Sequence, residues 1–322
     1  MRSTGHVARR GGQTDAVALL GERDPVGVRD SASHRVPLVA SLLAVGAGVV
    51  WSFGAITANK ADGADTFQYL IWRSVAIIVV IELIARWRRK PVATLTALRG
   101  DRTLMLACGA LLLASIAFVY ALKNTAPANA AFLASITPLI AVVLARLVLG
   151  ERLTAVTVAA VAVALAGVAL TVVGDLEAGN MVGNIAAVSS AFGMAGYTVL
   201  VRTDLRRDWS PVLPGYAVLM IVICAIVTVA GGRPLVPPIG DIGLAVLHGG
   251  VFIVVGTLLF NHASRQVPAG AMTVFALSEM VFVPAWALLF LDRTPTAVSL
   301  VGGVVILVAV VGKALLDARR VL

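Results

Sequence analysis

The sequence predicts an all-α integral membrane protein with ten transmembrane helices, arranged as two inverted five-helix repeats. Three observations carry this expectation. The 322 residues are 59% hydrophobic and 13% charged, with a mean hydropathy of +0.94, whereas a soluble domain has about 25% charged residues. Ten apolar stretches approach the roughly 20 residues that a spanning helix needs. The chain also matches itself when displaced by 141 residues.

Residues 1–35 are polar and rich in Gly, Arg and Asp, with no sustained periodicity. They are expected to form a disordered cytoplasmic tail. The apolar run after them starts too late and runs too long for a signal peptide. Spans are expected at 37–58, 66–85, 103–122, 126–148 and 154–173, then at 181–201, 212–230, 243–261, 269–290 and 297–316. The first repeat would thus cover 37–173 and the second 181–316, with 317–322 a short cytoplasmic tail. No connection is long enough for a soluble domain. The segments are also too long and too unalternating for barrel strands, which run about ten residues with a dyad pattern.

The net charge of +9 raises the question of nucleic acid, and its distribution answers it. With the N-terminus inside, 20 of the 26 Lys and Arg residues fall on the cytoplasmic side; Lys60, Lys123, Arg233 and Arg293 fall outside, and Arg73 and Arg146 within spans. This obeys the positive-inside rule and places both termini in the cytoplasm of a multi-pass plasma-membrane protein. The basicity reports orientation and attraction to anionic lipid, not a nucleic-acid partner. Cys108 and Cys224 lie in spans 3 and 7 and read as small core residues. No metal spacing, P-loop, HExxH or GxSxG occurs, so no metal or cofactor is expected and no built-in ATPase.

At the 141-residue offset, "NTAPANAAFLASITPLIAVVLARLVLGERL" (124–153) falls on "RQVPAGAMTVFALSEMVFVPAWALLFLDRT" (265–294). Pro127 meets Pro268, Glu151-Arg152 meets Asp292-Arg293, and "WSFGAIT" (51–57) meets "FGMAGYT" (192–198). Five spans per repeat is an odd number, so the second copy enters the membrane from the opposite side. Inverted repeats are the architecture of many secondary transporters, with the substrate site near the midplane.

The motifs "WSFGAIT", "YLIWRSVAI" (69–77), "YALKNTAPANAAFLASITPLIAVVLARLVLGERLT" (120–154) and "ALSEMVFVPAWALLFLDRTPT" (276–296) resemble the EamA branch of the drug/metabolite transporter superfamily, over residues 37–316. That family's second-repeat motif usually reads Glu-Pro and ends Gly-Glu. Here the pairs are Glu279-Met280 and Leu291-Asp292, and Pro284 is the candidate for the missing kink. The resemblance implies a transporter, with export its usual direction, and leaves the substrate open.

The ionisable residues inside spans are Arg73, Glu82, Arg146, His248 and Glu279. Glu82 and Arg146 lie about one turn from cytoplasmic helix ends and are expected to snorkel. His248 reads as a neutral hydrogen-bonding core residue. Arg73 lies about 10 Å in from its helix start at 1.5 Å per residue, and Glu279 lies near the middle of span 9. Each must face protein or a water-filled cavity. Neither is duplicated by the repeat: Arg73 aligns with Pro214 and Glu279 with Pro138. Phe275, Glu279, Phe282 and Trp286 are spaced for one helix face, and Tyr69 shares the face of Arg73. Small residues around Trp51 (Gly46, Gly48, Gly54, Ala55, Ala58) would let helices approach closely. With Asn129 and Tyr197, these residues form the expected substrate site: an aromatic lining with one acid and one arginine.

Three roles for the pair stay open here. They are a structural role, as an ion pair or as separate hydrogen-bonded core residues, substrate contact, with Arg73 on a carboxylate or phosphate and Glu279 on an amine, and proton coupling through Glu279. Glu151 and Asp292 end spans 4 and 9, where an acid opposes the helix dipole. Each is therefore expected to find a basic partner or the next helix's N-terminus. The reading that results is secondary transport of small metabolites, amino acids or similar amphipathic compounds, by alternating access. The alternative is a membrane enzyme or flippase acting on lipid-linked substrates.

Overall fold

The computed structural model describes residues 37–124, 133–151, 154–172, 181–291 and 297–319. Among the described residues all regular structure is helical. The helices are α1 (Leu38–Lys60), α2 (Thr66–Trp87), a short α3 (Ala93–Leu98), α4 (Arg102–Asn124), α5 (Thr137–Leu149) and α6 (Ala155–Val172). They continue as α7 (Met181–Thr203), α8 (Val212–Ala230), α9 (Ile239–Ala263), α10 (Ala269–Ala276), α11 (Ser278–Leu291) and α12 (Ala297–Arg319). Each of the ten expected intervals holds helix. By length and composition, six are long and apolar enough to cross a membrane: α1, α2, α4, α7, α8 and α9.

Local chemistry sets several boundaries. Asp65 caps α2 in a reciprocal box: its Oδ1 accepts the N–H groups of Phe67 (2.7 Å) and Gln68 (2.9 Å), and Gln68 Oε1 accepts the N–H of Asp65 (2.9 Å). The last turn of α5, Ala145–Leu149, and the middle of α9, His248–Ile253, widen into π-helix, a form that clusters at functional sites.

The fold changes four expectations. The span at 269–290 is not continuous. It stops at Leu277 (φ −63°, ψ −9°) and restarts as α11 at Ser278. The cause is not Pro284, through which α11 runs unbroken. Phe275 therefore precedes the break, fully buried in the main core, and does not share a continuous face with Glu279. Glu82 does more than reach toward water: its carboxylate accepts the N–H groups of Ala93 (3.1 Å) and Thr94 (2.6 Å), capping α3. Arg146 is exposed, as a snorkelling residue should be.

The repeat register is visible in three dimensions. The first repeat also restarts a helix after a break, at Ile136 (φ −69°, ψ −8°), and α5 begins at Thr137. Ile136 and Leu277 are equivalent at the 141-residue offset. Packing obeys the same exchange: α4 packs on α7 as α9 packs on α1, α4 on α8 as α9 on α2, and α5 on α7 as α10 and α11 on α1. The pairs α2–α8 and α6–α12 map onto themselves. One crossing follows the register to within one residue, Gly249 being equivalent to Cys108 and Arg73 to Pro214. A Cβ on Gly249 would sit 2.0 Å from the carbonyl oxygen of Arg73, and at the equivalent crossing a Cβ on Gly215 would sit 2.5 Å from Cys108 Sγ.

Candidate functional site

Two groups of polar residues lie inside the bundle, joined by α1. The first surrounds Arg73. Its side chain is 3% exposed, and Nη2 donates to Ser115 Oγ of α4 at 2.5 Å. Nε is buried with no partner among the described residues. The π-helical turn of α9 presses on the Arg73 backbone because Gly249 has no side chain. One turn back along α2, the Tyr69 hydroxyl lies 2.8 Å from His248 Nδ1 and 3.2 Å from Thr57 Oγ1 of α1. Thr57 donates its own proton to Gly54 O at 2.9 Å. Arg73 thus sits beside a buried hydrogen-bonded chain drawn from α1, α2 and α9. No carboxylate neutralises it: among the described residues the ion pairs are Lys90–Asp208, Arg202–Glu151, Arg207–Asp101 and Arg233–Asp65. Arg73 and Glu279 are not paired with each other in this structure.

The second group surrounds Glu279. The break at Leu277 puts this residue in the first turn of α11, half-buried. Here α10 and α11 meet the middle of α1. Ser278 Oγ donates to Val45 O at 3.0 Å, and a Cβ on Gly48 would lie 3.1 Å from the Glu279 nitrogen. The first N–H groups of a helix have no intrahelical acceptor, and their partial positive charge favours a carboxylate. The carboxylate has no ion-pair partner among the described residues, yet it occupies the one place on this helix where the backbone itself offsets negative charge. Along the same helix Phe282 stacks on Trp286 with centroids 5.9 Å apart. Trp286 stacks on Phe53 of α1 at 4.4 Å and donates Nε1–H to Ser52 Oγ at 2.8 Å.

The remaining expected residues scatter. Trp51 and Tyr197 both pack on Phe260 of α9, at 5.3 and 6.1 Å, and the Tyr197 hydroxyl donates to Asn261 Oδ1 at 2.5 Å. Asn129 lies outside the described residues. Of the nine expected site residues, Arg73 and Tyr69 fall in one group and Glu279, Phe282 and Trp286 in the other. Trp51 and Tyr197 flank them, and Phe275 belongs to the core. Sequence reasoning missed Ser115, Thr57 and the place of His248 in the Arg73 cluster. Tyr69 and His248 are 179 residues apart, and no local spacing links them.

Asp292 lies outside the described residues. Glu151 finds the basic partner expected for it, and the helix start it meets is that of α10, not of the next helix α6. Its Oε1 takes Arg202 Nε at 2.6 Å and its Oε2 takes the Ala269 N–H at the start of α10 at 3.3 Å. Arg202 also donates to the carbonyls of Ser264 and Val267. This knot gathers the ends of α5, α7 and α9 at what is here called the Lys90 end of the bundle. The opposite, Lys60 end holds the start of α2 and the end of α8.

Comparison with known proteins fits this geometry. The sequence model described as the EamA-like transporter family matches twice, over residues 38–173 and 181–313, the same two units as the repeats. A crystal structure of a protein superposes with a TM-score of 0.75 over 87% of this chain and 98% of its own, at 20% sequence identity; at that identity the likeness speaks for the fold alone. A search of curated proteins gave no match.

Proposed function

The chain belongs to the EamA-like transporter family, within the drug/metabolite transporter superfamily, and on that premise we propose that it is a secondary active transporter that exports small amphipathic metabolites, amino acids or similar compounds, by alternating access. The single observation that carries the reading is Arg73: a buried guanidinium with no counter-charge and an unpartnered Nε among the described residues. Such a cation is costly in a low-dielectric interior unless something anionic meets it. A cargo carboxylate is that partner, held by the planar fork while Ser115 fixes one edge of the guanidinium.

Glu279 supplies the second half of the mechanism. A carboxylate at a helix start is tolerated charged, because the dipole favours it. It is also tolerated neutral, because the surroundings are apolar. A group that is tolerable in both states can carry a proton across the cycle. Discontinuous helices at the repeat interface are where secondary transporters place coupling sites, and here α10 and α11 meet α1 at such a break. The ten helical intervals are taken as ten crossings, with the Lys90 end cytoplasmic because it carries most of the basic residues. Two repeats with interchangeable packing give each half an equivalent way to open.

The test is flux in proteoliposomes against a panel of amino acids and organic acids, with and without a pH gradient. Arg73→Gln is expected to abolish saturable transport of every anionic or zwitterionic member. If affinity for all of them is unchanged in Arg73→Gln, the binding role is wrong. If Glu279→Gln keeps both full transport and its pH dependence, the coupling role is wrong.

A further inference from the structure

At each end of the bundle the connection between the second and third spans of one repeat is fastened onto the start of the second span of the other or onto the residues just before it. At the Lys60 end, residues 231–238 lie on the start of α2. Arg233 Nη1 pairs with Asp65 Oδ2 at 3.1 Å, Gln68 Nε2 donates to Pro234 O at 2.5 Å, and Trp72 Nε1 donates to Leu235 O at 3.1 Å. Asp65, Gln68 and Trp72 are spaced i, i+3, i+7 and so share a face of α2. The same stretch carries Tyr69 and Arg73, so the strap lies over the turns that separate the Arg73 cluster from this end. At the Lys90 end, residues 88–101, which include α3, are fastened onto the connection that leads into α8. Lys90 Nζ pairs with Asp208 Oδ2 at 2.5 Å and Arg207 Nη1 with Asp101 Oδ2 at 2.9 Å, while the Arg207 guanidinium lies 4.9 Å over the Trp209 ring.

Exchanging the two repeats carries one strap onto the other, though the residues that form them differ. We propose that these straps are the paired gates of the transport cycle, and that opening at one end requires its strap to release while the other holds. The proposal rests on the alternating-access reading. Its physical basis is that both straps are closed here by partly exposed ion pairs, with 60% of the Arg233 side chain and 47% of the Lys90 side chain exposed. Such pairs are weak enough to break during a cycle. The Arg202–Glu151 knot is shielded more deeply, at 12% and 20% exposure, and is held by carbonyls as well. It is a joint, not a gate.

Hydrogen exchange of the full-length protein in nanodiscs, with no cargo added, tests this. Asp65 is avoided because it also caps α2. Arg233→Gln is expected to raise exchange about two- to fivefold in residues 61–69 and 239–248, the change that loss of an exposed ion pair implies. It should also lower exchange at the other end, in 88–101 and 204–215. Lys90→Gln should do the reverse, and Arg233→Lys should stay close to wild type. Exchange that rises only beside each altered residue, with the opposite end unchanged, would overturn the proposal. Reciprocal exchange in a protein that moves no member of the transport panel would sink the cargo reading and leave the gates standing.

Discussion

The two broken helices invite comparison. In the first repeat the helix restarts at Thr137 with Pro138 in its first turn; in the second it restarts at Ser278 with Glu279 in its first turn. The backbone turns alike at both breaks, near φ −69°, ψ −8° at Ile136 and φ −63°, ψ −9° at Leu277. A helix that begins inside an apolar bundle has first-turn N–H groups without an acceptor in the helix itself. Proline removes one of those donors and is preset for the first turn. A carboxylate keeps the donors and offsets their charge. The same structural problem has two solutions, and only one of them can also carry a proton. Glu279 is thus tolerable for a structural reason, which leaves its chemistry free for function.

The largest expected effect comes from making the two restarts alike. Glu279→Pro should keep the helix start, with a melting temperature within a few degrees of wild type, and should lower pH-driven flux about 5- to 150-fold, the range of an ordinary coupling free energy. A collapse in stability would show that the carboxylate is structural. Next is the crossing of α2 with α9 against that of α8 with α4. Gly249→Ala meets the Arg73 backbone, which cannot yield, and should cost about 3 kcal/mol; Gly215→Ala meets the Cys108 thiol, which can turn, and should cost about 1 kcal/mol. Thermal unfolding in one detergent reads both, and equal losses would contradict the asymmetry. Pro138→Ala should cost about 1 kcal/mol by loosening the unfolded chain and restoring a buried donor, with the pH profile of transport unchanged.

The smallest effect is expected at Asp65. Partial burial pushes its carboxyl up, but the Gln68 N–H, Arg233 and the Phe67 N–H together outweigh this and hold it below the ordinary aspartate value of 3.8. A depressed acid contributes its stability above the ordinary value and loses it as pH falls through the folded one. The Lys60-end strap should therefore keep the same protection from exchange, relative to the intrinsic rate at each pH, from neutral pH down to about pH 5. Looser exchange in residues 231–238 already at pH 5 would show that the ion pair is not what holds it.

Much of this was legible along the chain. The Pro127–Pro268 and Glu151–Asp292 correspondences set a register that the breaks at Ile136 and Leu277 obey. The isolation of Arg73 in an apolar stretch announced a buried cation. The break itself gave no warning, because neither Gly nor Pro stands at Leu277. It is set by α1, whose Gly48 admits Ser278 and whose Val45 carbonyl takes the Ser278 hydroxyl. Reading 269–290 as one helix then put Phe275 on the wrong face. Glu82 was judged by its depth alone, while its partner α3 is a six-residue helix with no signal strong enough to expect.

The sequence by itself determined the properties that depend on solvent and periodicity: a membrane protein, the positions of its apolar helices, the duplication and the two charges that break it. These rest on local composition and on comparing the chain with itself. Only the tertiary structure decided who meets whom. His248 joins Tyr69 beside Arg73, Glu279 has a helix start in place of an arginine, and Arg202 ties Glu151 to the carbonyls of Ser264 and Val267. Those partners lie tens to hundreds of residues apart. Their meeting is fixed by how closely one helix can approach another, which small residues such as Gly48 and Gly249 permit and no spacing along the chain records.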